Sequence, residues 1–172
     1  SFIQKTNLYK VKDYNDSLVE DLLNCFNRLK ISTKAQSLLT NGVQSTGNIF
    51  LVEEEPIQKL KKIIMHKIDV YKEKMASKKS DFIEHWPKNF FLYGWLIVMN
   101  EGGTLGFHMH KEGWMSGSLY LKRPKKLDKY DGDIVFSKHG SNYPTDGKFY
   151  EQRIVDINRG DMVLFPASIF HG

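Results

Sequence analysis

Three histidines organise the reading of this sequence. His108 and His110 stand two apart in Gly106-Phe-His-Met-His-Lys-Glu-Gly-Trp-Met-Ser-Gly-Ser-Leu-Tyr-Leu121, and His171 closes the run Gly160-Asp-Met-Val-Leu-Phe-Pro-Ala-Ser-Ile-Phe-His171. In an extended strand alternate side chains share a face, so His108 and His110 can grip one ion together. Two imidazoles on one strand face are costly to bury unless something binds them, because each has two ring nitrogens to satisfy. The second run supplies a third hand. Gly160-Asp161 reads as a tight turn, Met162-Val-Leu-Phe165 as a buried strand and Pro166 as its stop, which brings His171 back into the mouth of a barrel. The spacing predicts a metal site held by β-structure. His66 and His85 have no ligand-like neighbours, and His139 sits in a polar turn and reads as a loop residue.

Other elements must hold these strands in place. Residues 1–15 mix apolar and polar positions and predict an edge strand or arm. Asn15-Asp16-Ser17 is an N-cap cluster, and Leu18, Leu22, Leu23, Phe26 and Leu29 recur at three and four, which predicts an amphipathic helix to about Lys30, with Cys25 in it. Residues 31–48 are rich in Ser, Thr, Gln, Asn and Gly and predict a long loop, with Asn41-Gly42 and Thr46-Gly47 as turn signals. Residues 49–52 predict a short strand. Glu53-Glu-Glu-Pro56 then opens the clearest helix, striped by Ile57, Leu60, Ile63, Ile64, Ile68, Tyr71 and Met75 and reaching about Lys79, with its lysines mostly on a solvated face. From residue 90 the period changes. Residues 90–99 predict a strand buried on one or both faces, 100–103 a turn, and 104–110, 114–123, 132–138, 150–157 and 162–166 further strands. Helices followed by six or more strands indicate an α+β fold with an antiparallel sandwich or jelly roll. A single domain over 1–172 is expected, with a helical part at 1–88 and the β core at 89–172.

Composition narrows the function classes. A chain of 172 residues with 41% hydrophobic and 13% aromatic residues has enough apolar material for one sizeable core and is not disordered. Its single cysteine, Cys25, excludes an internal disulfide and fits a reducing, cytoplasmic location. No apolar run reaches the roughly 18 residues that span a bilayer, and no signal-peptide pattern opens the chain, so no membrane partner is expected. The formal charge of +5 rests on lysine, with only four arginines, which disfavours nucleic acid and mildly favours an acidic substrate. The chain does not start with Met and stops one residue after His171, so it is expected to be an excerpt with its C-terminal end missing.

The paired motifs resemble the metal motifs of the double-stranded β-helix superfamily, cupins included: Gly102, five residues, His108-x-His110, and later Gly160, five residues, Pro166, then His171. The cupin glutamate has Trp114 or Met115 in its place, and the glycine usual two residues after the proline is Ser168, so a typical cupin is not indicated. A longer resemblance runs from Gln36-Ser-Leu and Gln44-Ser-Thr-Gly-Asn48 through Tyr93-Gly-Trp95, both histidine runs and Gly132-Asp-Ile-Val-Phe136. There the chain is similar to the 2-oxoglutarate and Fe(II)-dependent oxygenases, often found as the C-terminal domain of tetratricopeptide-repeat proteins.

That resemblance implies a cupin-like jelly-roll core with N-terminal flanking helices, Fe(II), 2-oxoglutarate as co-substrate, O2, and hydroxylation of a substrate carbon. It also implies a possible fusion to a repeat domain. His108, His110 and His171 would hold the metal; the competing carboxylate is Glu112, since the usual facial triad is two His and one carboxylate and His110-Lys111-Glu112 is a literal His-x-acid. Three neutral imidazoles would leave the charge of the ion to be balanced by a bound dicarboxylate. The family anchors the far carboxylate of 2-oxoglutarate with an Arg several residues after the distal His, a position beyond Gly172; Arg153 and Arg159 are poor substitutes. Ser116, Ser118 and Tyr120 share a face with Trp114, so Ser118 and Tyr120, with Tyr93, are candidates to line the co-substrate pocket. The same alternation also fits polar residues facing water. A cupin-like metalloenzyme without 2-oxoglutarate and a non-catalytic jelly-roll binding module are the alternatives, and the substrate, a protein side chain or a small molecule, is open.

Overall fold

The computed structural model describes residues 1–29, 32–123, 125–126, 128–140 and 143–172. In chain order it contains β1 (Gln4–Asn7), a 3-10 turn (Leu8–Lys10), α1 (Asp16–Arg28), β2 (Thr33–Lys34), β3 (Leu39–Ser45), a second 3-10 turn (Ile49–Leu51), α2 (Glu55–Met75) and α3 (Asp81–Glu84). It continues with β4 (Ile97–Leu105), β5 (Met115–Leu119), β6 (Ile134–Ser137), β7 (Gln152–Val155), β8 (Asp161–Pro166) and β9 (Phe170–His171). This is a mixed α/β chain with antiparallel sheets, and it forms two compact units: Tyr9–Thr104, and Leu105–Gly172 together with Ser1–Leu8. No helix among the described residues is long and apolar enough to cross a membrane.

In the Tyr9–Thr104 unit the helices follow their sequence signals. Asn15 caps α1, its side-chain oxygen accepting the Leu18 N–H at 3.0 Å, and the helix buries Leu18, Val19, Leu22, Cys25 and Phe26. Pro56 opens α2, which buries Ile57, Leu60, Ile63, Ile68, Tyr71 and Met75 but ends at Met75 rather than near Lys79. Three-residue bonds, Ala76 N–H to Glu73 O (3.1 Å) and Lys78 N–H to Met75 O (2.8 Å), tighten the last turn and close the helix there.

Five expectations for this unit are corrected. The polar stretch 31–48 is not a loop: among its described residues β2 pairs antiparallel with β3, Thr33 opposite Ser45, and β3 lies beside β4. Its Asn41-Gly42 lies inside β3, where Asn41 takes φ 49° and a Cβ on Gly42 would stand 2.9 Å from the Val98 carbonyl oxygen; Gly47, at φ 71°, does make the turn its signal predicts. Residues 49–52 hold a 3-10 turn instead of a strand, because the Asn48 Oδ1 accepts the Phe50 N–H at 3.1 Å. The same side chain explains why 90–96 is not a sheet strand. Asn48 also takes the Gly94 N–H (3.0 Å) and donates to Leu92 O (2.9 Å), so a side chain satisfies backbone groups that a ladder would otherwise use. Phe91 is 81% exposed there, against the predicted burial, and β4 starts only at Ile97. The predicted turn at 100–103 lies inside β4, which accommodates Gly102 at φ 70°.

The other unit is built from two three-stranded sheets, β1-β8-β5 and β7-β6-β9. β1 is the edge strand foreseen for the N-terminus, Gln4 opposite Leu164. Each predicted strand is present in trimmed form, except that β4 stops at Leu105, so that 104–110 survives beyond it only as a single bridge between His108 and His171. Val163 and Phe165 of β8 meet Ile134 and Phe136 of β6, with Ile157, in one core; the Phe136 and Phe165 rings are 4.8 Å apart, edge to face. Across β5 and β8, Ser116 stands opposite Phe165 and Ser118 opposite Val163. Directly opposite residues point to one face, so both serines look into this core. Gly117 points the other way, where a Cβ would lie 2.7 Å from the Leu164 side chain.

Phe165 is 0% exposed and Phe149 is 91% exposed. Phe165→Ala should therefore cost about 3–5 kcal/mol of unfolding free energy in urea titration, while Phe149→Ala should leave the midpoint unchanged within error. Similar losses in both variants would show that the core does not lie between these sheets.

Candidate metal centre

β9 is only two residues long, yet it decides the site. It pairs with β6 on one side, Phe136 opposite His171, and on the other the His108 N–H bonds His171 O at 3.0 Å while the His171 N–H bonds His108 O at 2.9 Å. His171 and His108 thus share a face with Phe136, the core face of that sheet. The turn before β9 is stitched to the His-x-His segment: the His110 N–H bonds Ala167 O at 3.0 Å and the Ala167 N–H bonds Trp114 O at 3.1 Å. His110 is set beside the other two by that backbone bond.

The three side chains converge. One ligand atom from each of His108, His110 and His171 lies within 4.8 Å of the others, and the ring centroids are 4.4 to 5.2 Å apart. Three nitrogens at neighbouring corners of a coordination shell are about 3 Å apart at the usual 2.1 Å metal distance, so rotation of the rings must close the remaining gap. His108 Nδ1 lies 2.9 Å from Gly106 O, and His171 Nδ1 lies 3.0 Å from Ile169 O. A carbonyl oxygen only accepts, so each Nδ1 carries the proton and each Nε2 keeps its lone pair, as a metal ligand requires. The donor set therefore fits a divalent ion that accepts imidazole nitrogen, iron(II) among them.

His171 is 5% exposed and its ring lies 4.6 Å from that of Phe165. Burial against hydrocarbon lowers its pKa to about 4, helped by the His108 and His110 rings and opposed by the Ile169 carbonyl. His110 is also lowered, first by burial and then by His108. The His110 and His171 rings are consequently available as neutral ligands near neutral pH.

The remaining candidates fall differently. Glu112 is exposed and stands outside the converging group. Ser118 and Tyr120 are half-buried on the core side of β5 and bonded to each other, and Tyr120 packs against the Ile134–Phe165 core. Burial pushes the Tyr120 phenol up to about 12, so it is a neutral hydrogen-bonding group at any ordinary pH. Tyr93 belongs to the other unit, is 54% exposed and has its ring 6.1 Å from that of Trp95. Arg153, on the edge strand β7, bonds the Ser1 hydroxyl. His139 accepts no ligand role in the group: its Nε2 bonds Tyr143 O at 2.8 Å and its ring stacks on Tyr150.

Sequence reasoning missed the groups that frame Tyr120. Asp133, with its side chain 2% exposed, takes Arg123 at 3.2 Å, Lys126 at 2.7 Å and the Ile157 N–H at 3.0 Å, and Lys126 also reaches Asp156 at 2.6 Å. Gly132-Asp133 reads in sequence only as a turn before a strand; nothing in its spacing marks a buried carboxylate. The Gly106 and Ile169 carbonyls that fix the imidazole protons are backbone groups and leave no residue signature.

The three imidazoles converge on antiparallel β-structure as a group that could hold a metal ion. Residues 93–172, which contain all three histidines with Tyr93, Ser118 and Tyr120, match the family model described as "Putative 2OG-Fe(II) oxygenase". That segment is similar to a 2OG-Fe(II) oxygenase family, the kind its motifs resemble, although the match begins well after the Gln36 from which those motifs run. No curated protein matches the chain.

A neutral imidazole held at a pKa of about 4 in the fold regains its ordinary value near 6.5 when the chain unfolds. Between those values only the unfolded chain binds the proton, so stability is full above pH 6.5 and falls as the pH drops towards 4. The metal-free protein should lose up to about 3 kcal/mol from this group over that window, measured by urea unfolding, and His171→Gln should flatten that part of the profile. Superimposable profiles would show that His171 is not held neutral by burial.

Proposed function

We propose that the protein is a non-haem Fe(II)- and 2-oxoglutarate-dependent dioxygenase that hydroxylates a carbon of its substrate, built as one domain on a double-stranded β-helix (jelly-roll) core. The observation that supports this best is the convergence of His108, His110 and His171 on one inner face, within a segment matched by a 2OG-Fe(II) oxygenase family. Iron(II) held there, with 2-oxoglutarate and O2, would supply the oxidation of a C–H bond with release of succinate and CO2. The chain's own residues do the rest. The three imidazoles fix the ion and leave the other coordination positions to small ligands. Ser118 and Tyr120 lie along the same inner face and offer hydroxyls to a carboxylate, Tyr120 as a neutral phenol that can donate. Phe136 and Phe165 keep water from one side of His171. Tyr93 is assigned to co-substrate binding by its place in the matched segment alone.

Glu112 has no part in this reading, because it is exposed while three imidazoles already converge. The free, buried Cys25 fits a reducing, cytoplasmic setting. The substrate is proposed as a protein side chain or small molecule, with nucleic acid and membrane excluded from the proposal, and fusion to a repeat domain is compatible with it.

Iron(II) and 2-oxoglutarate added without oxygen should give the weak visible charge-transfer band of the chelate, and admitting O2 should yield succinate. Neither signal from fully metallated protein would overturn the dioxygenase reading. By metal analysis His171→Ala should lower bound iron at least about tenfold, whereas Glu112→Gln should stay within about twofold of wild type. The reverse order would move the third ligand to Glu112.

A further inference from the structure

We propose that Gly140 and Tyr143, on the outer side of the metal-bearing sheet, position all three histidines by packing on the residue next to each of them. The inference rests on the metal-site part of the reading above and requires no oxygen chemistry.

Neighbouring residues in β-structure face opposite ways, so Phe107 and Phe170, which precede His108 and His171, point away from the core that the imidazoles face. Phe170 is nevertheless only 8% exposed, and Ser137, directly opposite it, 7%. Their cover is the segment after β6. The His139 N–H bonds the Ser137 hydroxyl at 3.2 Å, and the Tyr143 ring meets that of Phe170 edge to face at 5.4 Å. Gly140 lies closest. A Cβ there would stand 2.7 Å from Phe170 Cδ1 and 3.0 Å from Phe107 Cβ, and its φ is outside the left-handed region, so space alone requires glycine. The third ligand is reached as well. The ammonium of Lys111, which follows His110, lies 5.2 Å from the centre of the Tyr143 ring.

Each ligand thus has a sequence neighbour held from behind. The hydrogen bonds between His108 and His171 fix which residues stand opposite, while how far each chain sits out of the sheet is set by what packs on its outer side. An added methyl at 140 must push Phe170 from 2.7 Å to an ordinary contact of at least 3.4 Å. That displacement exceeds the roughly 0.2 Å within which metal–ligand distances are held, and it is one peptide unit from His171. Gly140 and Tyr143 touch no reacting group, so both are positioning residues.

Co(II), titrated calorimetrically into the metal-free full chain without any co-substrate, is the probe. Gly140→Ala should bind it at least about tenfold more weakly than wild type, and Tyr143→Leu at least about threefold more weakly. At saturating Co(II), the visible absorption of both variants should differ from wild type, because the geometry around the ion has changed. Gly140→Ala combined with Phe170→Val, which removes the atom the new methyl strikes, should recover part of the lost affinity. Ile157→Val, in the core and 0% exposed, should lower urea stability yet keep Co(II) affinity within about twofold and leave the spectrum unchanged. Tyr143→Leu decides the matter if Gly140→Ala does not fold. Wild-type affinity and spectrum in these variants overturn the proposal, as does an equal loss of affinity in Ile157→Val, and succinate formation by the wild type would then leave the dioxygenase reading standing. The expected losses without succinate formation sustain the proposal and remove the dioxygenase reading. Failure of the wild type to bind Co(II) overturns both.

Discussion

Two backbone hydrogen bonds between His108 and His171 are the constraint on which the site depends. They join residues far apart in sequence as directly opposite partners, 3.0 and 2.9 Å in the two directions, and so put both imidazoles on one face. Because the side-chain period of a strand is two, a slip of one residue would turn His171 out and Phe170 in. The register is secured from three sides. β6 holds β9 through Phe136 and Ser137, the turn after Pro166 is closed by the Ile169 N–H to Pro166 O at 3.1 Å, and Ala167 bonds both His110 and Trp114. Gly172 continues the pairing by exchanging two bonds with Val135, 3.1 and 2.9 Å.

Burial then does two things with one arrangement. It keeps the His171 imidazole neutral, which a ligand must be, and it removes the water that would otherwise screen an ion's charge. The Nδ1 bonds of His108 and His171 go to carbonyls two residues earlier on the same chain, so the protein fixes two rings without spending any acidic side chain on them. An acidic second partner would have oriented the rings equally well while adding negative charge beside the ion.

Much of this was legible in the sequence, and the failures have identifiable causes. Turn signals of Gly, Pro, Asp and Asn between short apolar segments found β5, β6, β7 and β8, the last as a strand buried at every position. The same logic placed His171 with the His-x-His pair, since a turn and a buried strand fix where the next residue points. The helices were visible through capping at Asn15 and Pro56. The polar β3 was missed because a half-exposed sheet needs few apolar residues, Ser45 being its only buried position. Residues 90–96 misled in the opposite direction: their β-rich composition is real, but Asn48 satisfies their backbone from another segment, a long-range fact no local pattern encodes. The choice between Glu112 and a third histidine was likewise undecided by spacing, because His-x-His and His-x-acid overlap at His110 and only the bridge to His171 favours the first.

At the far end of the same core the charged groups are paired with one another. Asp133 is buried but matched by Arg123 and Lys126, and Lys126 is shared with Asp156, so two cations meet two carboxylates. The Asp133 and Arg123 side chains are both buried, so removing either leaves the other with one opposite charge fewer, which ties the start of β6 to the segment after β5. Tyr120 feels Arg123 and Asp133 in opposite senses, and burial outweighs both in keeping it a phenol. The interior of this unit is thus divided along β5: the imidazoles lie near the Met115 end, the Ser118 and Tyr120 hydroxyls follow, and the ion network beyond Tyr120 pairs its own charges.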